Sequence, residues 1–443
     1  MKISNVFPRH NNFELPYAVR GEGCYIIDKN DKYYLDASGG AAVSCLGHSD
    51  ETVKDAIKKQ IDKLAFAHTS FFTNDPAEKL ANLLAENSPK GLNKVYFVSS
   101  GSEAVEASLK LARQYFIEIG EPDRHRVISR KQSYHGNTLG ALAAGGNLWR
   151  RSFFEKMLTN TSLISPCYPY RNQDINETEI DYGLRIANEL EEEIKNLGSK
   201  NVMAFIAETV VGATAGALTP VKRYFKRIRE ICDQYGILLI LDEVMCGMGR
   251  TGSLFAFEEE NIIPDIVTIA KGLGAGYQPI GAMLCQDFIY DAIVNGSGFF
   301  QHGHTYLGHP IACAASLAVL TKLIDENIFE KVKSKGAILQ NILERDIGQN
   351  QFVGDIRGRG LFIGIEIVKN RFTKEPFPKK LNIANKIKKE ALELGLICYP
   401  MQGTLDGILG DHILLAPPFI ISENEINELS GKLKNTIEKI CLL

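Results

Sequence analysis

Apolar positions along this chain follow two rhythms. Val53, Ala56, Ile57, Ile61 and Leu64 recur at three- and four-residue spacing, as do Ile311, Ala315, Ala318 and Val319, then Leu381, Ala384, Ile387, Ala391 and Leu394. Each set predicts an amphipathic helix with one buried stripe, and 184–197 predicts another. Short unbroken apolar runs occupy 94–98, 203–207, 236–241 and 265–269 and predict strands covered on both faces. Such alternation argues for an α/β fold, with a mainly parallel sheet wrapped by helices over roughly 50–325. Residues 158–179, rich in Asn, Thr, Pro and Tyr, predict a loop.

Beyond 325 the character changes. A strand-like run fills 360–367, and Ser422 with Glu425 forms a capping box before the stripe Ile426, Leu429, Leu433, Ile437 and Ile440. Residues 326–443 are expected to form a smaller α+β domain, after a segment 1–49 with strand-like runs at 23–27 and 33–35. There is no internal repeat and no low-complexity tract.

The 443 residues suffice for a large domain and a companion. A formal charge of −3 with interspersed acids and bases leaves no basic stripe, which argues against a nucleic-acid partner. No apolar run approaches the roughly 20 residues of a membrane span, and Met1-Lys-Ile-Ser-Asn-Val-Phe-Pro8 carries no apolar leader region. Nine scattered cysteines without a Cys-x-x-Cys pair read as reduced thiols, so a cytoplasmic location is expected.

Three places carry chemistry. Lys271 leaves the apolar run 265–269 into the turn Gly-Leu-Gly-Ala-Gly276, where loss of water lowers an amine's pKa and frees it for Schiff-base formation. Asp242 ends the run 236–241, and an anion there is what pyridoxal phosphate needs to keep its pyridine nitrogen protonated. Taken singly, such a lysine is more often a snorkelling surface residue and such an aspartate a helix cap or turn former. The third place is Ser99-Ser100-Gly101-Ser102-Glu103, between the run 94–98 and a helical pattern. Gly101 and Ser102 there sit at a helix N-terminus suited to a phosphate, although Ser-x-x-Glu also describes ordinary capping.

Nine ordered blocks extend this set: Asp36-Ala-Ser-Gly-Gly, Leu46-Gly-His48, Ser100-Gly-Ser-Glu-Ala104, Ser133-Tyr-His-Gly136, Ala207-Glu208, Leu241-Asp-Glu-Val244, Gly249-Arg-Thr-Gly252, Ala270-Lys-Gly-Leu273 and His302-Gly-His-Thr-Tyr-Leu-Gly-His-Pro310. Together they resemble the class III, or omega-type, pyridoxal-phosphate aminotransferases of fold type I over nearly the whole chain. The resemblance implies that Lys271 anchors the cofactor and shuttles the substrate proton, and that Asp242 pairs with the pyridinium nitrogen. It further implies that Tyr134 stacks on one ring face, Val244 packs on the other, and Ser100, Gly101 and Ser102 hold the phosphate.

His135 and Glu208 join the implied cofactor-binding set. Thr305 would reach the phosphate of a neighbouring subunit, so a homodimer with shared sites follows, and residues 1–49 would pack with the small domain. The implied reaction carries an amino group from an amine or omega-amino acid to a 2-oxo acid, with pyruvate as acceptor, by a ping-pong mechanism. A decarboxylase, racemase or aminomutase of the same fold, or a binding relative without activity, stays open.

Structural alternatives also stand for single residues: Tyr134 as a core aromatic, Thr305 as a helix cap, Glu208 as a buried ion-pair partner. His302, His304 and His309 have no Cys or acid at ligand spacing, so no metal site is expected. Substrate recognition departs from the family pattern. Leu414 stands where many relatives carry a carboxylate-binding arginine, Tyr399-Pro400-Met401 lacks the mobile arginine of others, and Met245 replaces a common glutamine. The glycine-spaced stretch 402–411 is longer than in those relatives and is expected to cover the pocket mouth. Arg150 and Arg151 are candidates for carboxylate recognition, against the plainer reading of two solvated helix-end arginines.

Overall fold

The computed structural model describes residues 5–7, 9 and 14–442, so most of the stretch read for a leader, including Met1 and Pro8, lies outside the described residues. Three short strands open the chain, β1 (Ala18–Glu22), β2 (Tyr25–Asp28) and β3 (Tyr33–Asp36), in an antiparallel ribbon.

The large sheet follows. Its strands are β4 (Leu92–Val98), β5 (Arg126–Arg130), β6 (Ser162–Ile164), β7 (Val202–Glu208), β8 (Leu238–Asp242), β9 (Ile266–Ile269) and β10 (Gly281–Gln286), in the order β4-β10-β9-β8-β7-β5-β6. From β9 to β6 every pairing is parallel, and β10 runs antiparallel to both its neighbours. Every residue of β7, β8 and β9 is buried. Helices cover both faces, which is why these strands read as continuous apolar runs rather than as alternation.

Helix Glu179–Leu197 buries Tyr182, Ile186, Leu190 and Ile194 against one face. It begins five residues before the expected 184, because Thr178 caps it by accepting a bond from the Asp181 N–H at 3.1 Å. The expected loop 158–179 is likewise not all loop: β6 and the short helix Pro169–Asn172 lie within it. Three residues are too few to register a strand period.

The smaller domain is built on a second sheet of β11 (Val353–Arg359), β12 (Phe362–Ile367), β13 (Leu396–Ile397, which pairs with β3 instead), β14 (Tyr399–Gln402) and β15 (Asp411–Leu415). Its antiparallel order is β11-β12-β15-β14. Helices Ile328–Ile347, Ile383–Glu393 and Glu423–Cys441 cover it, the last opened by the Ser422–Glu425 capping box. β12 begins two residues after the expected 360 because Gly360, at φ +58°, belongs to the hairpin turn.

The two sheets meet at a dense polar seam. A side chain on Gly364 of β12 would collide with the Gly216 carbonyl of the large domain. Beside it the buried Arg357 donates to the Gly216 carbonyl at 2.9 Å, the Ala215 carbonyl at 2.5 Å, and Asp355 and Glu366 at 2.8 Å each. Burial alone would raise the Glu366 carboxyl, but Arg357, Arg171 and the Tyr168 hydroxyl hold it below its ordinary value. Replacing Arg357 by Met breaks one of the two ion pairs of this buried carboxylate and deprives the Ala215 and Gly216 carbonyls of their donor. Arg357→Met is expected to cost about 3–5 kcal/mol of stability, read as a lowered urea midpoint.

Candidate active site

In an open parallel sheet, ligands gather at the carboxyl ends of the strands. Here Glu208 ends β7, Asp242 ends β8, and Lys271 follows β9 by two residues, with Glu208 paired to Asp242 and Asp242 to Thr268 in register. These ends border a cavity of about 260 Å³. Ser100, Gly101, Ser102, Tyr134, His135, Glu208, Asp242, Val244 and Lys271 all line it, so nine of the ten expected site residues converge on one space. Thr305, the tenth, does not. It is exposed on a loop that borders a separate depression with His68, Phe72, Tyr96 and His302. It is also no helix cap, since His309 holds that position before Pro310.

Lys271 does not reach for solvent. Its backbone takes φ +44°, which a lysine rarely adopts, and its Nζ donates to the Ala41 carbonyl at 3.0 Å. Burial lowers its pKa to about 8; Asp242 and Glu208 pull upward against that, and the Arg150 charge adds to the lowering. Ala41 itself belongs to a left-handed turn through Gly39, Gly40 and Ala42, with φ +74° at Ala41. Its carbonyl is a site contribution that residue types alone do not reveal, although the Gly-Gly pair beside it marks an unusual backbone.

Asp242 is held from three sides. Oδ2 lies 2.8 Å from Nδ1 of the buried His135, Oδ1 accepts the Val244 N–H at 3.0 Å, and the Thr268 hydroxyl is 3.4 Å away. His135 is thus a positioning residue for this carboxylate, with its Nε2 3.4 Å from the Ser129 hydroxyl. Glu208 accepts the N–H groups of Tyr134 and Gly212 at 3.1 Å each. Burial raises its pKa, and Asp242 adds to that effect, while His135 and the two N–H groups oppose it.

Ser100 caps helix Gly101–Glu118 by accepting the Glu103 N–H at 3.3 Å, and the Glu103 carboxylate accepts the Ser99 N–H at 2.7 Å. Capping and anion binding are compatible here, because the Gly101 and Ser102 N–H groups precede the first intrahelical bond and border the cavity. A Cβ on Gly101 would stand 2.7 Å from a Val244 methyl, so only glycine lets this turn sit against Val244. Donors for a phosphate, an amine and a ring-directed carboxylate around one cavity fit pyridoxal phosphate.

Of the departures only Met245 lines the cavity; Leu414, residues 399–401 and the stretch 402–411, expected to cover its mouth, are not among the lining residues. Leu414 is buried among Met245, Phe362 and Ala416 in an apolar cluster. The loop after β14 folds on itself, with Gly403 N–H donating to the Gly410 carbonyl at 2.7 Å, and Thr404 Oγ1 lies 2.7 Å from His412 Nδ1. Burial, helped by Arg357, drives His412 down to about 3. Arg151 is spent on the Ala143 and Gly145 carbonyls at 2.6 and 2.7 Å and on Glu155. Arg150 instead lies over the Tyr134 ring, 4.4 Å from its centroid.

A family model described as aminotransferase class-III matches residues 7–437. An aminotransferase of Schizosaccharomyces pombe, itself described as uncharacterized, is 46% identical over 98% of this chain and 95% of its own length. The crystal structure of an (S)-enantioselective omega-transaminase from Thermomicrobium roseum superposes with a TM-score of 0.93 at 34% identity, covering 99% of this chain and 96% of that one. An omega transaminase from Pseudomonas jessenii, solved in complex with PMP, gives a TM-score of 0.92 at 31% identity, covering 99% and 96%.

In cofactor-free protein, acylation of Lys271 followed by peptide mass spectrometry should reach half its maximal rate near pH 8, whereas exposed lysines respond near about 10.4. A lowered pKa leaves the amine neutral at lower pH, so reactivity rises through that earlier window. A half-point at the exposed-lysine value would contradict the burial of this amine.

Proposed function

The chain belongs to the class-III aminotransferases, pyridoxal-phosphate-dependent enzymes of fold type I, and on that premise we propose that it moves an amino group from an amine or omega-amino acid to a 2-oxo acid, with pyruvate as acceptor. One observation carries this reading: a desolvated amine, Lys271, and an oriented carboxylate, Asp242, border the same cavity as the helix N-terminus at Gly101. Pyridoxal phosphate supplies an electron sink for the charge left when the substrate's C–H bond breaks.

The chain's own residues do the rest. Lys271 anchors the cofactor and then, partly neutral near pH 8, takes the proton from the substrate carbon and returns it. Asp242, oriented by His135, would pair with the ring nitrogen. Ser100, Gly101 and Ser102 would hold the phosphate, Tyr134 and Val244 would pack on the two ring faces, and His135 and Glu208 would complete the cofactor-binding set. Donor and acceptor use the site in turn, so the deaminated product leaves before the 2-oxo acid enters.

A homodimer is part of the proposal, with Thr305 of each subunit completing the other's phosphate site. Exposed Phe71, Phe72, Phe299 and Tyr306 around this segment support a covered face. Among the described residues no helix is long and apolar enough to cross a membrane. All nine cysteines are buried and unpaired, which supports a reducing, cytoplasmic setting.

Amino transfer from a panel of amines to pyruvate tests the activity; release of carbon dioxide or an isomerised product without transfer would sink it. Lys271→Ala should lower transfer by at least about a thousandfold, and Asp242→Asn by more than about a hundredfold with folding retained by circular dichroism. Sedimentation should give twice the 49.1 kDa chain mass. A monomer that turns over at full rate would remove Thr305 from the site.

A further inference from the structure

Arg150 is a cation in want of an anion. Its helix, Leu148–Arg151, is short, and Asn147 caps it by accepting the Arg150 N–H at 3.2 Å. The guanidinium lies over the Tyr134 ring, 4.4 Å from its centroid, and 5.6 Å from the centroid of Trp149. Among the described residues no carboxylate pairs with it, and its Nε is buried with no hydrogen-bond partner. Neighbouring Arg151 shows the opposite pattern, with carbonyl and carboxylate acceptors for its donors. Stacking on aromatic faces leaves the edge of a guanidinium, where all its N–H bonds point, free for an incoming oxygen pair.

The same helix is braced by the stretch that sets this chain apart. Gln132 donates from Nε2 to the Gly403 and Thr404 carbonyls at 2.5 and 2.8 Å, while its Oε1 accepts the Asn147 amide at 3.2 Å. A Cβ on Gly407 would stand 3.1 Å from the Trp149 nitrogen, so the loop tip abuts the helix. The lengthened loop therefore runs through Gln132 and Asn147 to the residue that carries the unpaired charge.

We infer that Arg150 binds the carboxylate of the amino-acid or 2-oxo-acid substrate, a duty that residues 401 and 414 do not perform here. The carboxylate would meet the guanidinium edge beside Tyr134, whose ring lines the cavity. This rests on the transaminase reading proposed above, and one arm of its test does not.

Propionate, which carries a carboxylate and no amine, is titrated into cofactor-loaded protein by calorimetry. Arg150→Met, which keeps bulk without charge, should weaken propionate by about tenfold or more, and Arg150→Lys should recover part of the loss. In the second arm, kcat/KM for an omega-amino acid divided by that for a carboxylate-free amine should fall by at least about tenfold in Arg150→Met. Unchanged propionate affinity, or an equal fall with both donors, would overturn the assignment, the latter because it marks a ring support and not an anion site. Failure of every donor in the wild-type protein would sink the transaminase reading, while propionate binding would still read Arg150.

Discussion

An amine deprived of water at the edge of an α/β sheet is the constraint on which this site turns. Burial lowers Lys271 to about 8, and the carboxylates of Asp242 and Glu208 keep it from falling further. Desolvation alone would disable the partner carboxylates as much as it activates the amine, since burial penalises any charge. The fold resolves the conflict with placed donors: the Val244 N–H and the Thr268 hydroxyl serve Asp242, and the N–H groups of Tyr134 and Gly212 serve Glu208. Strain gathers at the same point, in the left-handed backbones of Lys271 and Ala41 that bring Nζ to a carbonyl.

Much of this was legible in the residues for a physical reason. Strands covered on both faces are unbroken apolar runs, so an ionisable residue at the end of one stands out, and both Asp242 and Lys271 do. The Ser100 turn is a cap, one of its two readings, and the cap takes the Glu103 N–H while leaving those of Gly101 and Ser102 at the cavity. What stayed hidden is backbone or context. Strand β5 begins and ends in arginine, yet Arg130 is buried over Tyr224 and Phe225 and donates to the Glu208 carbonyl, a polar residue consumed inside the fold. Strand β6 has three residues, and the Ala41 carbonyl belongs to a side chain without chemistry. The pair Arg150 and Arg151 could not be separated by type; only their surroundings divide an arginine used up by carbonyls from one stacked and unpaired.

That division bears on how the two domains share labour. Leu414 of β15 is packed with Met245 and Phe362, and the available cation, Arg150, lies against the tyrosine that borders the cavity. The two side chains come from different elements, Tyr134 from the loop after β5 and Arg150 from the short helix Leu148–Arg151. The small domain still takes part, through the loop between β14 and β15 whose carbonyls hold Gln132. Thr404, bonded to His412, ties that loop to β15, and the His412 ring abuts Gly216 of the polar seam. Loop, Gln132 and the Asn147 cap thus form one hydrogen-bonded chain that reaches the helix bearing Arg150.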